Sequence, residues 1–289
     1  MKQRCSSQSE FTKNFEFSEI ENAIKDMKSG KAAGLDGIFM EFIKNFGVKT
    51  KTWLLILFND ILFQQKLPKL FKKTKVLAVL KPAKDGSSAS HYRPISLMSI
   101  VYKLFEKLLL NRLQPHLDKI IPKEQAGFRP SRGCVEQVLA LTTHIENGFQ
   151  KGLKTFVVFF DLTAAYNTVW REGLLWKLMK IIPCKKLSAL LNLILSNRFF
   201  QVSLNERKST WKRLNNGLSQ GSVLAPLLFN VYTSDIPVTK SRLLLYADDL
   251  AIVYQCSTFE EAEKVLEEDL KVVFNNYNSW RLKPNSSKL

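Results

Sequence analysis

The sequence has few of the residues that hold structural metals or form disulfides. It contains 4 cysteines and 3 histidines in 289 residues, and no two cysteines form a C-x-x-C pair. Closely spaced Cys and His residues are the usual sign of a zinc site or a disulfide framework. Their scatter predicts neither of these. The residues concerned are Cys5, Cys134, Cys184, Cys256, His91, His116 and His144.

Long apolar runs are missing as well. The first ten residues lack the apolar centre of a signal peptide. The longest apolar stretch, 53–63, is interrupted by Asn59 and Asp60 and is far shorter than the roughly 20 residues that a membrane span needs. We therefore expect no membrane association and an intracellular protein, in the cytoplasm, the nucleus or both.

Acidic residues are scarce relative to basic ones. The chain has 43 Lys and Arg against 26 Asp and Glu, which gives a formal net charge of +17. Such an excess favours a polyanionic partner, because phosphate contacts release counterions. The alternative, a basic protein without such a partner, ranks second. The length is comfortable for two subdomains.

Two adjacent carboxylates, Asp248 and Asp249, stand inside an apolar run. Residues 243–246 and 250–254 predict two strands, with Ala247 and the aspartates at the turn of a hairpin. A surface hairpin tip is one interpretation. Carboxylates beside apolar strands are costly unless they are paired or bind a metal. We therefore favour a metal site, which needs a further carboxylate from elsewhere in the chain.

Asp161 supplies that carboxylate. It lies within the apolar stretch 156–162, which predicts a strand buried on both faces and hence central in its sheet. An N-cap for the following helix is the simpler role for such an aspartate. Three carboxylates at the ends of two apolar strands favour the metal site over this alternative.

The remaining pattern is that of an α+β protein, with strands predicted at 74–80, 200–204 and 210–214 besides those above. Helices are predicted at about 15–28, 39–46, 51–65, 100–113, 134–150, 174–181 and 187–196, in a segment ending near 235, and from 258 onward. In the helix at 100–113, the cations Lys103, Lys107 and Arg112 are expected on a solvated face.

Gln220 lies in a glycine-bearing loop before the helix that ends near 235. It would either cap that helix or meet a base or a sugar, and we favour capping.

Six short motifs resemble the reverse transcriptase domain of non-LTR retrotransposons of the jockey-like kind, and the resemblance covers nearly the whole chain. They occur in the order of that family, which makes the set far more specific than any one member. The motifs are 31–37 (KAAGLDG), 92–97 (YRPISL), 125–130 (QAGFRP), 160–166 (FDLTAAY), 220–230 (QGSVLAPLLFN) and 246–249 (YADD).

The resemblance implies an RNA-directed DNA polymerase that uses two Mg²⁺ ions, for which Mn²⁺ could substitute. Asp161 and Asp248 would be the metal ligands and Asp249 a supporting carboxylate. Tyr166 would lie under the incoming sugar and favour deoxynucleotides. Asn167 stands where many relatives have Asp, which removes a charge but no presumed ligand.

Other positions would bind the substrates, which are an RNA template, a DNA primer and deoxynucleoside triphosphates. Lys81 and Arg93 would hold the triphosphate, and Gln220 and Gly221 would pack against the nucleotide and the template. Lys288 would be a candidate proton donor to pyrophosphate.

The fold implied is the right-hand polymerase fold, with helical fingers and a palm whose central antiparallel sheet packs on helices. The domains would be an N-terminal extension helix (1–28), fingers with part of the palm (29–150) and a palm (151–289) truncated before an absent thumb. Two alternatives stay open: a catalytically inactive nucleic-acid-binding remnant, and an RNA-dependent RNA polymerase.

Overall fold

The computed structural model describes residues 10–205 and 207–285, which divide into two compact units. The first unit comprises residues up to 116 together with 175–225, and the second comprises 117–174 together with the residues from 226 onward. The α+β class predicted from the sequence is confirmed. The domain boundaries at 28 and 150 stay a prediction, because the units are defined by packing and are discontinuous in the chain.

The elements are numbered in chain order, and short 3-10 turns occur at Lys69–Lys72 and Ala89–His91. The helices are α1 (Phe17–Asp26), α2 (Met40–Lys44), α3 (Val48–Gln64), α4 (Ile100–Leu117), α5 (Cys134–Gln150), α6 (Ala165–Thr168), α7 (Arg171–Ile181), α8 (Lys185–Leu195), α9 (Ala225–Tyr232) and α10 (Phe259–Ser279). The strands are β1 (Lys73–Leu80), β2 (Tyr92–Leu97), β3 (Lys154–Phe160), β4 (Arg198–Leu204), β5 (Arg207–Lys208), β6 (Lys212–Leu214), β7 (Arg242–Tyr246) and β8 (Asp249–Cys256).

The first unit contains a mixed sheet. Among the described residues its strand order is β2-β1-β4-β5, and β6 also pairs with β4. Strand β1 is antiparallel to β2 and parallel to β4. Strand β2 was not among the predicted strands, and it contains Pro94. A proline is tolerated there because β2 lies at the end of the strand order, where one edge of the strand makes no ladder bonds.

The core of the first unit is built around α4. Phe105 on α4 and Phe58 on α3 are fully buried, with ring centroids 5.5 Å apart. Leu104 and Leu108 of the same helix are also buried. Each such side chain contributes about 1.5–3 kcal/mol by its removal from water. The helix therefore provides a rigid support for the polar side chains that it carries.

The second unit contains a three-stranded antiparallel sheet of order β3-β8-β7 in the described residues. Helix α10 covers one face, where Phe160 meets Phe274 with ring centroids 5.3 Å apart. On the other face Val157 packs with Leu141 of α5 against the buried side chains Leu244, Ala251 and Val253. The alternating side chains of β3 thus pack against two different helices.

The prediction that the strand ending in Asp161 is the central one was wrong. The central strand is β8, whose residues 250–253 are at most 6% exposed. Phe159 of β3, the terminal strand in the described order, is 60% exposed. An apolar strand therefore does not by itself indicate burial on both faces.

In the part of the chain that the structure describes, no helix has both the length and the apolar character needed to cross a membrane.

Candidate functional site

The three predicted carboxylates lie at one end of the β3–β8 strand pair. The last residues paired in that ladder are Phe160 and Leu250. Asp161 directly follows Phe160, and Asp249 directly precedes Leu250. Asp248 is the residue before Asp249 in the chain. Antiparallel pairing therefore brings together carboxylates that are 87 positions apart in the sequence, Asp161 and Asp248. Asp161 and Asp248 are half-buried, and Asp249 is exposed.

The predicted hairpin is confirmed, but its turn has two residues, not the three predicted, because Asp249 is the first residue of β8. The β7–β8 ladder closes at the pair Tyr246 and Asp249, which leaves Ala247 and Asp248 as the turn. Ala247 has a φ of 59°, in the left-handed region. An alanine in this conformation costs about 1–2 kcal/mol, and tight hairpin turns usually place glycine or asparagine there. Contacts from outside the hairpin therefore have to hold this turn.

Those contacts come from the segment 124–127, which runs beside β7. The Ala126 N–H donates to the Leu245 carbonyl at 2.9 Å, and the Leu245 N–H donates to the Glu124 carbonyl at 3.1 Å. Gln125 and Leu245 form a parallel bridge. Residues 125–130 (QAGFRP) were recognised only as a motif of the family, and no structural role was predicted for them. A short strand cannot be predicted when its partner is over a hundred residues away.

Asp161 and Asp249 also line the same cavity of about 380 Å³, together with Phe159 and Tyr246. The Asp161 carbonyl accepts a hydrogen bond from the Asn285 N–H at 2.8 Å, and Leu162 forms an antiparallel bridge with Pro284. The segment that leads toward Lys288 therefore passes beside Asp161. Lys288 itself lies outside the described residues.

Tyr166 lies close to Asp248. Helix α6 carries Tyr166, whose ring stacks on Phe229 at 4.9 Å with an interplanar angle of 12°. Phe128 meets the same ring edge-on at 6.3 Å. Burial raises the pKa of Tyr166 above its usual value, and the negative charge of Asp248 raises it further. The phenol is therefore neutral at physiological pH, and its ring has a fixed orientation.

The donor set at this end of the sheet suits a hard cation. Within residues 10–205 and 207–285, no three or more His, Cys, Asp or Glu side chains form a group that could hold a metal ion. Mg²⁺ is commonly held by one or two carboxylates, with water and substrate phosphates completing its coordination. Asp161 and Asp248 fit that pattern because both offer carboxylate oxygens at the same end of one strand pair.

The first unit contains the predicted phosphate-binding cations. Lys81 directly follows β1, and Arg93 pairs with Val79, so both lie at the loop end of the β1–β2 hairpin. The Lys81 ammonium donates to the Ser90 carbonyl at 2.8 Å. Arg93 is exposed.

Gln220 and Gly221 also lie in the first unit, against β2. The Ser96 N–H donates to the Gln220 carbonyl at 3.2 Å. Gly221 has a φ of +115°, and a Cβ there would lie 2.7 Å from the Ser96 carbonyl oxygen. Only glycine combines this backbone conformation with so close an approach. The conformation of the loop therefore depends on Gly221.

The expected capping role of Gln220 was wrong. It is Ser222 whose hydroxyl accepts from the Ala225 N–H at the start of α9, at 3.2 Å. Ser222 is fixed in turn by Glu106 of α4, which accepts from the Ser222 hydroxyl and from the Val223 N–H, both at 2.7 Å. Glu106 is 1% exposed and was missed by the sequence reasoning. A single Glu on an amphipathic helix gives no signal of a partner 116 residues away.

Comparison with known proteins identifies the family of the chain. Residues 79–289 match the family described as reverse transcriptase (RNA-dependent DNA polymerase). The chain is 36% identical over 281 residues to the probable RNA-directed DNA polymerase from transposon BS of Drosophila melanogaster, covering 93% of this chain and 31% of the relative. It is 31% identical over 281 residues to the RNA-directed DNA polymerase from mobile element jockey of the same species, with the same coverage.

A third relative, the probable RNA-directed DNA polymerase from transposon X-element of Drosophila melanogaster, is 30% identical over 283 residues, covering 95% of this chain and 31% of the relative. The chain thus spans about a third of the length of these curated relatives. The family match covers well over half of the chain and includes all the candidate residues from Lys81 onward. The chain belongs to the reverse transcriptase (RNA-dependent DNA polymerase) family, among the jockey-like members from non-LTR retrotransposons.

Proposed function

We propose that this chain catalyses RNA-templated DNA synthesis, by transfer of a nucleotide from a deoxynucleoside triphosphate to the 3′-hydroxyl of a DNA primer. The observation that carries the proposal is the position of Asp161, Asp248 and Asp249 at one end of the β3–β8 pair, with Tyr166 close to Asp248. Clustered carboxylates beside an aromatic ring suit phosphoryl transfer to a sugar hydroxyl.

Asp161 and Asp248 are the proposed ligands of two Mg²⁺ ions, for which Mn²⁺ could substitute, and Asp249 is a supporting carboxylate. When bound, such ions lower the pKa of the attacking hydroxyl and neutralise the leaving pyrophosphate. The half-buried position of both ligands limits their hydration and strengthens their attraction for a cation. Asp249 is exposed, so its contribution is smaller.

In the first unit, Lys81 and Arg93 are proposed to contact the triphosphate. Gln220 and Gly221 are proposed to pack against nucleotide and template. Two observations support this role. Arg93 and Gln220 are both exposed, and the loop that contains Gln220 is hydrogen-bonded to β2, the strand that contains Arg93. Lys288, outside the described residues, is a proposed proton donor to pyrophosphate.

The right-hand architecture belongs to the same proposal, with an extension helix at 1–28, fingers at 29–150 and a palm at 151–289. The antiparallel sheet between α5 and α10 supports the assignment of the palm. The proposed partners are an RNA template, a DNA primer and deoxynucleotides, in the cytoplasm or the nucleus. The net charge of +17 supports binding to nucleic acid.

The test is primer extension on an RNA template with Mg²⁺ and deoxynucleotides. The 289-residue chain is assayed alone and fused to the region that follows the matched segment in the transposon BS relative. Template-dependent incorporation by either form supports the proposal. If both forms bind RNA but neither extends the primer, the chain is an inactive nucleic-acid-binding remnant and the proposal fails.

Tyr166 is expected to decide the choice of sugar. The ring is held between Phe229 and Phe128, so it cannot move aside for a ribose 2′-hydroxyl. Replacing Tyr166 with Val should raise ribonucleotide use relative to deoxynucleotide use by about 10- to 100-fold, the range typical of a shape-based discrimination. The measurement is kcat/KM for each nucleotide.

Tyr166→Phe is the matched control, because it keeps the ring and removes only the neutral phenol. The preference of this variant for deoxynucleotides over ribonucleotides should stay within about twofold of that of the wild type, because the change removes no essential contact. Equal use of ribonucleotides and deoxynucleotides by the wild type would instead favour an RNA-dependent RNA polymerase.

A further inference from the structure

Gln125 makes direct contact with the backbone of the turn that carries Asp248. Its side-chain oxygen accepts from the Ala247 N–H at 2.9 Å, and its side-chain nitrogen donates to the Ala247 carbonyl at 3.1 Å. The Gln125 side chain therefore satisfies both backbone polar groups of the one residue in the turn that has a positive φ. A carboxamide carries an acceptor oxygen and a donor nitrogen on the same carbon, so it can bond to the N–H and the carbonyl of one residue at once.

Gln125 is itself held from several directions. Its side-chain oxygen also accepts from the Gly127 N–H at 2.7 Å, and the residue is 3% exposed. The buried amide of Asn230 on α9 donates to the Gly127 carbonyl at 2.9 Å. The backbone of residues 124–126 is bonded to β7, as described above. The amide of Gln125 is therefore fixed in place before any ligand binds.

The geometry points to Gln125 as a positioning residue for metal binding: we propose that its amide holds the Ala247 turn in the conformation in which Asp248 can act as a metal ligand. This inference rests on the proposed function. Gln125 touches the backbone next to the ligand and not the reacting atoms. Partners that orient a ligand in this way typically change metal affinity or activity by about 10- to 100-fold when they are removed.

The test replaces Gln125 with Met, which has a similar volume but neither the donor nor the acceptor. We expect kcat for primer extension and the affinity for Mn²⁺, followed by electron paramagnetic resonance without nucleotide, each to fall by about 10- to 100-fold. The KM for deoxynucleotide should change by less than about threefold, because ground-state nucleotide binding does not use Gln125. RNA binding and the thermal transition should be retained.

Gln137→Met is the matched control. The side chain of Gln137 donates to the carbonyls of Glu124 at 2.8 Å and Leu245 at 3.3 Å, so it contacts the same segment without touching the turn. Its Mn²⁺ affinity and kcat should stay within about twofold of the wild type. A Gln125→Met protein that is equally close to the wild type in both quantities would overturn the proposal.

If Gln125→Met does not fold, Gln125→Asn takes its place, since the shorter amide stays polar but cannot reach both groups of Ala247. Loss of cooperative unfolding in both variants would make Gln125 a folding residue and would also overturn the proposal. The Mn²⁺ titration separates the two proposals. A wild type that binds Mn²⁺ without extending primers contradicts the proposed function only, whereas a wild type that binds no Mn²⁺ contradicts both.

Discussion

Replacing Asp161 with Asn is expected to reduce primer extension on RNA by more than about 10³-fold, or roughly 4 kcal/mol of transition-state stabilisation. Asn has nearly the same shape but no charge, so it is a poor ligand for Mg²⁺. The described backbone contact of Asp161, from the Asn285 N–H to its carbonyl at 2.8 Å, does not depend on the side chain. Because Asn also keeps the shape of Asp and can form hydrogen bonds, the fold should survive, which circular dichroism checks. The measurement is single-turnover incorporation of one deoxynucleotide.

Asp60→Asn is the matched control, because it removes the same charge from an exposed position on α3. Its rate should be within about twofold of the wild type. RNA affinity of the Asp161→Asn protein should not fall, because losing a negative charge does not weaken binding to a polyanion. A variant that keeps more than about a tenth of the wild-type rate would contradict Asp161 as a metal ligand.

Replacing Gly127 with Ala is expected to have the second largest effect, by displacing the turn that carries Asp248. A Cβ at Gly127 would lie 2.1 Å from the Ala247 nitrogen and 2.8 Å from its Cα. Both atoms belong to the backbone, so the turn or the segment 124–127 has to move. Overpacking of this kind costs about 1–3 kcal/mol or more, and misplacing a ligand by about 1 Å can cost 10²-fold in rate.

The measurements are the apparent Tm by circular dichroism and the rate of primer extension. The Tm of Gly127→Ala should fall by several degrees, at roughly 2–8 °C per kcal/mol for domains of this size range. Gly47→Ala is the control, since a Cβ there would meet no atom within 4 Å. Gly47 is also the N-cap of α3, where Ala is less favourable than Gly by about 1 kcal/mol, so the Tm of this control should fall slightly while its rate of primer extension stays at the wild-type value. A rate for the Gly127 variant equal to that of the Gly47 variant would show that the turn tolerates a side chain at position 127.

The aspartates at the strand ends could be predicted from the sequence because the signal is local. Apolar strands interrupted by carboxylates are unusual, and they predicted the hairpin with its turn at 247–249, one residue longer than the observed turn at Ala247 and Asp248. The order of strands is not local. Strand β8 proved to be central and β3 terminal, although β3 is continuously apolar over residues 156–160.

Side-chain partners were the least predictable feature. Arg112, expected on a solvated face, donates to both carboxylate oxygens of Glu19 at 2.8 Å and lies 4.1 Å from the centre of the Phe15 ring. Burial alone would raise the pKa of Glu19, but the hydrogen bonds from Arg112 and from the Glu16 N–H, together with the positive charges of Arg112 and Lys13, outweigh it and leave that pKa below its usual value. An exposed helix face and one covered by a neighbouring helix have the same sequence pattern.

The sequence by itself determined the α+β class, the family and the candidate carboxylates, because hydrophobic period, turn chemistry and motif order are properties of neighbouring residues. Only the tertiary structure decided what supports those carboxylates. Gln125 meets Ala247 across 122 positions, and Glu106 meets Ser222 across 116. Such contacts depend on how strands and helices pack, and the sequence around a buried Gln or Glu does not reveal a partner more than a hundred residues away. The support of the Asp248 turn by Gln125 is therefore a property of the folded chain.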